Sequence, residues 1–233
     1  MGKQNQLRRY SEPGATAMRT TLRARVHDDI RRALITGRIV PGRGITLRGL
    51  ATELGVSPMP VREAVHQLAA ERALSIGPTG RIQVPEMTPE RFNDLIRVRI
   101  LLEPEAARMA LPNLDRSAVF ELRSIDDGIN QSLVDGDVEA YMRLNHDFHF
   151  RIYQAAGSEV FLGAIESVWL QFGPFMRTVY GRLGTANLVD QHDLAIAAIA
   201  AGDPAALSAA ITRDITDGMD LIGPDVMPVP ANA

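Results

Sequence analysis

From Thr20 onward, apolar residues recur every three or four positions. Leu22, Val26, Ile30, Ala33 and Leu34 share one face, which predicts an amphipathic helix ending at Gly37. VPGRGI reads as a turn. Leu47, Leu50, Ala51 and Leu54 then predict a helix over about 47–54, closed by Gly55. Ser57 suits an N-cap and Pro58 the first helical position, where its missing N–H costs nothing. They open a helix that turns Val61, Ala64, Val65 and Leu68 inward. LSI and RIQV flank GPTG and predict a short hairpin. Three helices followed by a hairpin describe a winged helix-turn-helix.

VPEMTPER reads as a linker, and Thr88-Pro89 starts a long helix by the same capping logic. Beyond it every pattern is helical, roughly six helices broken at Pro112-Asn113, Asp135-Gly136, Gly157-Ser158, Gly184 and Gly202-Asp203-Pro204. The fold expected is mainly α: a disordered arm over 1–17, a winged domain over 18–86, an all-α helical bundle over 87–222 and a Pro-rich disordered tail over 223–233.

Charge divides the chain at the same place. Residues 1–85 hold 14 basic and 6 acidic side chains, while residues 86–233 hold 11 and 22. A basic half of that kind marks a nucleic-acid surface. Lys3 is the only lysine, and arginine suits bidentate contacts to phosphate and guanine. No apolar run has membrane-spanning length and no signal peptide precedes the first helix, so neither a membrane nor export is expected. Cysteine is absent, which fits a reducing cytoplasm and excludes disulfides, thiolate metal sites and cysteine nucleophiles.

In a winged helix-turn-helix the second helix of the motif enters the major groove N-terminus first. Here that end carries Ser57, Met59, Pro60 and Arg62, and its free N–H groups favour a phosphate. Arg62, and Arg48 on the preceding helix, can reach a guanine edge or a phosphate. The stretch from ITGRIVPG through LATELGVSPMPVREAVHQLAAERAL to GPTGRIQV closely resembles the DNA-binding domain of GntR-type bacterial repressors. That resemblance implies DNA contacts at Arg48, Ser57–Pro60, Arg62 and the wing around Gly80 and Arg81. The family often has Arg-Thr where this chain has Pro58-Met59, so a polar contact gives way to an apolar one, suited to a thymine methyl. Its wing usually reads Arg-Gly where this chain reads Gly80-Arg81.

In the second half the eye is drawn to NHDFH, residues 145–149. On a helix whose inward stripe is Tyr141, Leu144, Phe148 and Ile152, Asn145 and His149 border that stripe together, while His146 and Asp147 point elsewhere. His192 falls in the stripe of Leu188, Ala195 and Ile199, and Asp214 in that of Leu207, Ala210/Ile211 and Gly218. Phe92, Leu95, Leu102, Ala106 and Met109 follow an a/d spacing whose missing member is Arg99. Four helices thus each bring a polar residue to an apolar face, where buried polar groups need partners. One shared site accounts for all of them: a divalent ion on Asn145, His149, His192 and Asp214, with Arg99 beside it for an anion. Without cysteine the donors suit Zn²⁺, the favoured ion, or Mn²⁺, Ni²⁺ or Fe²⁺.

RVRILLEPEAARMA, LNHDFHFRIYQAAGS and QHDLAIAAIAAGDPAAL resemble the FCD ligand-binding domain of FadR-type GntR regulators. The resemblance implies a helical bundle with a divalent metal held by Asp or Asn, a His four residues on, and two later His. The first three fall on Asn145, His149 and His192; the fourth, normally His, falls on Asp214. It also implies a small carboxylate effector, with an Arg at the Arg99 position often joining the metal. The expected protein is a cytoplasmic, homodimeric transcription regulator of double-stranded DNA operators, not an enzyme. The rival, an HD-like metal-dependent hydrolase, draws on His146-Asp147 and His192-Asp193 but lacks an upstream His over 86–145. A third reading makes the bundle a purely structural dimerisation domain.

Overall fold

A computed structural model describes residues 13–183 and 191–220. Its N-terminal part is built from α1 (Pro13–Ile35), α2 (Leu47–Glu53), α3 (Pro58–Ala70) and a hairpin of β1 (Ser75–Ile76) and β2 (Ile82–Gln83). The helix begins at Pro13, so residues 13–17 of the expected disordered arm are helical, while 1–12 and the tail lie outside the described residues. Val26, Ile30 and Leu34 of α1 meet Val61, Val65 and Leu68 of α3 in a core that also takes Leu50 and Ile82. The strands pair antiparallel, Ser75 with Gln83 and Ile76 with Ile82. Ile82 also bridges Ile45 through two backbone hydrogen bonds of 2.7 and 2.8 Å, tying the wing to the turn before α2. Thr46 caps α2 by accepting from the Gly49 N–H at 3.0 Å. Ser57 stands at the N-cap of α3, but its side chain makes no capping bond. His27 is largely covered, and its Nε2 is sealed from solvent.

The second part holds α4 (Pro89–Ala110), a 3-10 turn at Leu111–Asn113, α5 (Arg116–Asp135), α6 (Val138–Gln154), α7 (Glu159–Leu183), α8 (His192–Ala201) and α9 (Pro204–Asp220). Thr88 caps α4 as expected, accepting from the Arg91 N–H at 3.2 Å. α4 and α7 each continue as one helix past Pro104 and Pro174. The breaks at Gly136, Gly157 and Gly202 occur where the sequence places them; Gly184, and Leu188 of the α8 stripe, lie outside the described residues. α4 packs chiefly against α9 and α7, α5 against α6 and α8, and α8 against α9.

One stripe differs from its expected course. The inward residues of α4 are Phe92, Leu95, Arg99, Glu103, Ala106, Ala107 and Ala110, whereas Leu102 and Met109 are only half-buried. A straight helix repeats about every 3.6 residues, and the coiled-coil spacing of 3.5 drifts off its face within a few turns. The true repeat carries Glu103 into the core.

The two parts meet along α7. Arg31 pairs with Glu166 at 2.9 Å, Arg177 donates to the Thr36 carbonyl at 3.3 Å, and Ser167 donates to the Glu71 carbonyl at 3.4 Å. Arg91, at the foot of α4, bridges the Arg72 carbonyl and the Gln171 amide oxygen at 3.1 and 2.8 Å. Gly173 lets the backbones touch: a Cβ there would stand 2.8 Å from both Cα and O of Ile35.

Candidate nucleic-acid interface and buried polar centre

Three segments converge on one concave face of the winged part. A cavity of about 750 Å³ is lined by Arg48 of α2, Pro58 and Arg62 at the start of α3, and Gly80 and Arg81 of the wing. The Ile45–Ile82 bridge brings the wing to this face, and the Arg81 side chain lies across Gly44 in space that a Cβ would fill. Gly80 holds a positive φ of 76°, the left-handed turn that aims the hairpin tip. Ser57 is exposed and its hydroxyl is not spent on capping. Met59 is exposed on the same helix start, and Pro60 is half-buried there. All seven sequence-expected residues thus lie on or beside one surface, with unpaired arginines around a helix N-terminus.

The second site is internal. His149 of α6 and His192, the first residue of α8, are buried. Both aim Nε2 at Asp214 of α9: His149 Nε2 lies 3.1 Å from Oδ2 and His192 Nε2 lies 3.8 Å from Oδ1. One ligand atom from each of the three residues falls within 4.8 Å of the others. Asn145 stands one turn before His149 and is half-buried. Arg99 is buried, but its guanidinium is engaged: Nε donates to Glu103 Oε1 at 2.6 Å and Nη2 to Oε2 at 3.2 Å. The Trp169 and Phe172 rings cover it, with centroids 4.6 and 5.4 Å away.

Around this triad runs a continuous network from all six helices of the bundle. Glu103 accepts from Tyr153 O–H at 2.8 Å and from Trp169 Nε1–H at 3.0 Å, besides Arg99. Tyr153 O meets His149 Nδ1 at 3.0 Å. Asp126 of α5 meets His192 Nδ1 at 2.9 Å and accepts from Asn130 at 3.3 Å. The Gln191 N–H donates to Asp214 at 3.1 Å.

Elementary hydrogen-bond logic assigns the ring protons. Glu103 is paired to Arg99 and accepts only, so the Tyr153 proton points to it and the Tyr153 oxygen accepts from His149 Nδ1–H. The Asp126 carboxylate likewise accepts from His192 Nδ1–H. With both rings neutral, both Nε2 atoms turn lone pairs toward an anionic carboxylate. His149 Nε2 is sealed from water and its approach to Asp214 is not aligned as a hydrogen bond. Lone pairs at these separations repel unless a cation, a proton or a metal ion, lies among them. A tetrahedral ion with bonds of roughly 2.0–2.2 Å holds its ligand atoms about 3.3–3.6 Å apart; the 3.1 Å approach of His149 lies just below that range and the 3.8 Å approach of His192 just above it. Imidazoles whose far nitrogens are held by a carboxylate or hydroxyl are the usual surroundings of metal-bound histidine. The donor set fits a divalent metal.

Electrostatics agree. With protons in the place of the cation, burial pushes the Asp214 carboxyl up, but the His149 contact and charge, the His192 charge and the Gln191 N–H outweigh it and hold it well below the ordinary carboxylate range. Burial also works against the charge on Arg99, yet Glu103 more than compensates and raises its pKa. Burial, and then the neighbouring Glu103 charge, push the Tyr153 phenol well above its usual value, so it keeps its proton.

Four members of the network escape the stripe reading above: Glu103, Asp126, Tyr153 and Trp169. Asp126 interrupts the series Ala118, Leu122, Ile129 just as His192 and Asp214 interrupt theirs, so its signal was present. Glu103 is found by following the true helical repeat from Arg99. Trp169 sits in the strongly apolar α7 and has no comparable mark.

The family comparisons match both halves. Residues 22–84 match the description "Bacterial regulatory proteins, gntR family", and residues 94–217 match the FCD domain. The HTH-type transcriptional regulator McbR of Escherichia coli (strain K12) is 30% identical over 195 residues, 82% of this chain and 88% of that protein. The gluconate operon transcriptional repressor of Bacillus subtilis (strain 168) is 24% identical over 208 residues, 85% and 84% of the two chains. Among solved structures, E. coli McbR/YncC superposes with a TM-score of 0.81 at 27% identity, covering 86% of this chain and 96% of that one. The chain belongs to the gntR family of bacterial regulatory proteins, a winged helix-turn-helix followed by an FCD domain, and is a transcriptional regulator rather than an HD-like hydrolase.

Proposed function

We propose that the chain is a cytoplasmic, homodimeric repressor of the FadR type, whose operator affinity is set by a small carboxylate metabolite and a divalent metal in the FCD domain. The metal would be Zn²⁺, with Mn²⁺, Ni²⁺ or Fe²⁺ compatible with the same donors. The observation that carries the reading is the convergence of His149 Nε2, His192 Nε2 and the Asp214 carboxylate inside the bundle. Asn145, one turn from His149, is the fourth ligand. Two chains would present two α3 helices to successive major grooves of a pseudo-palindromic operator, where Arg48, Arg62 and Arg81 contact phosphates and guanines and Met59 a thymine methyl. No described helix is long and apolar enough to cross a membrane, and regulators named as repressors are among the relatives.

The chain's own residues define what binding does. Asp126 and Tyr153 hold the histidine rings, and Asp214 supplies the negative charge that a cation needs. When bound, the metal supplies positive charge and open coordination positions for a carboxylate. Arg99 is the cation nearest in kind to that carboxylate, and Glu103 already occupies it, so the effector must share Arg99 or displace Glu103. Such a displacement pulls on Trp169 of α7, which carries the contacts to the winged part. A differential contact of this kind shifts the spacing of the DNA-binding domains.

Metal content of untagged protein, wild type beside His149→Ala, tests the site. About one divalent ion per chain, lost in the variant, is expected. Wild-type protein that holds no ion even after incubation with Zn²⁺ or Mn²⁺ contradicts it. Gel shifts on the upstream DNA over nonspecific competitor, with and without metal and a carboxylate panel, test the regulation; unchanged affinity throughout contradicts an effector role.

A further inference from the structure

We propose that Glu103 and Tyr153 are positioning residues for the metal site: their relay fixes the His149 ring with its proton on Nδ1 and its Nε2 lone pair on the shared cation position. The inference rests on the metal reading above but concerns residues that touch no metal.

Glu103 is completely buried and accepts four hydrogen bonds, two on each oxygen. Arg99 holds it in a bidentate ion pair. An anionic carboxylate has no proton to give, so Tyr153 must donate at 2.8 Å. A phenol has one proton, so its oxygen presents only lone pairs to His149 Nδ1 at 3.0 Å. A proton on Nδ1 completes the chain; a ring whose single proton sat on Nε2 would set two lone pairs against each other in a dry core. Arg99 therefore acts on His149 through three successive charge-assisted or buried bonds, without contacting it. The relay also links α4 to α6 at one point, which orients the ring and not only its tautomer. Removing an outer partner of a metal-bound histidine typically weakens metal affinity by about 10- to 100-fold.

Tyr153→Phe tests this, because it deletes the hydroxyl and keeps the buried ring. Ser132→Ala is the control: it also removes one buried side-chain hydrogen bond, to the Ile129 carbonyl of α5 at 2.6 Å, but outside the relay. Zn²⁺ affinity is read by competition with a chromophoric chelator. Tautomers are read from ring nitrogen shifts in the metal-free protein, where five histidines are few enough to assign. The expected result is Nδ1–H on His149 in the wild type, a mixed population in Tyr153→Phe, a loss of about 10- to 100-fold in Zn²⁺ affinity for that variant, and unchanged affinity for Ser132→Ala. Wild-type affinity in Tyr153→Phe, or an equal loss in both variants, overturns the relay. An Nδ1 without a proton in the wild type overturns it whether or not either variant folds. If wild-type protein binds no Zn²⁺, the metal reading fails separately, and the tautomer shifts still decide the relay.

Discussion

The two halves of the chain put their working polar residues in opposite places. In the winged part the core is apolar, and Arg48, Arg62 and Arg81 stand around a surface concavity. In the FCD part Arg99, Glu103, His149 and His192 lie inside the core, and six helices are joined through them. Surface arginines give up little on folding, so the winged part separates function from stability. A buried network couples them: each member is desolvated, and each relies on its neighbour for compensation. The same contrast explains how a ligand can act on the second half, since any change in partner there is a change in packing energy.

The strongest way to break the comparison is Glu103→Ala. It leaves Arg99 buried with its anion gone, and removing one partner of a buried pair costs about 3–5 kcal/mol. Urea denaturation should show that loss, against a change within about 0.5 kcal/mol for the exposed Arg62→Ala. Replacing both partners, Arg99→Met with Glu103→Leu, should recover only part of it, because Tyr153 O–H and Trp169 N–H still lose their buried acceptor. A Glu103→Ala protein as stable as wild type would mean that the network is not coupled to folding.

Gly173→Ala probes the seam between the halves. The added Cβ meets backbone of Ile35 and Leu34, which cannot rotate away as a side chain can. Overpacking of this kind costs about 1–3 kcal/mol. A lowered Tm and faster proteolytic separation of the two domains are expected, and an unchanged Tm would show that α7 and α1 can slide apart freely.

How far these contrasts are legible in sequence follows from what creates them. Helix faces are local, so Arg99, His149, His192 and Asp214 reveal themselves as polar breaks in apolar stripes. Which helix faces which is tertiary, so the 3.1 Å approach of His149 to Asp214 and the pairing of His192 with Asp126 are not written in any one stripe. Glu103 was hidden by a spacing error of a tenth of a residue per turn. In the winged part, the cap at Thr46 and the bridge from Ile45 to Ile82 follow no stripe at all. The clustering of Arg48, Arg62, Gly80 and Arg81 is legible because a motif carries them, while the passage of Arg81 over Gly44 is not.

Arg62→Ala sharpens the comparison from the other side. Loss of a guanine contact costs about 1–3 kcal/mol of affinity, roughly 10- to 100-fold, and relaxes specificity at that base. Loss of a phosphate contact instead weakens all sequences alike and lowers the salt slope by about one unit. Gel shifts on single-base operator variants at two salt concentrations distinguish them; no loss on any sequence would remove Arg62 from the interface.

The smallest effect is the most discriminating. An N-cap serine or threonine replaced by alanine ordinarily costs about 1 kcal/mol, because a helix N–H loses its acceptor. Thr46 and Thr88 make that bond, so Thr46→Ala and Thr88→Ala should each show the cost in urea. Ser57 stands at the same position of α3 and makes no such bond. Ser57→Ala should therefore leave stability within a few tenths of a kcal/mol, while removing an exposed hydroxyl at the start of the helix that carries Arg62. DNA affinity falling without a change in denaturation midpoint would mean that this residue type, elsewhere in the chain a structural cap, is held free at α3 for the nucleic acid. A full capping cost at Ser57 would instead place it with Thr46 and Thr88, and the winged part would no longer keep function apart from folding at that residue.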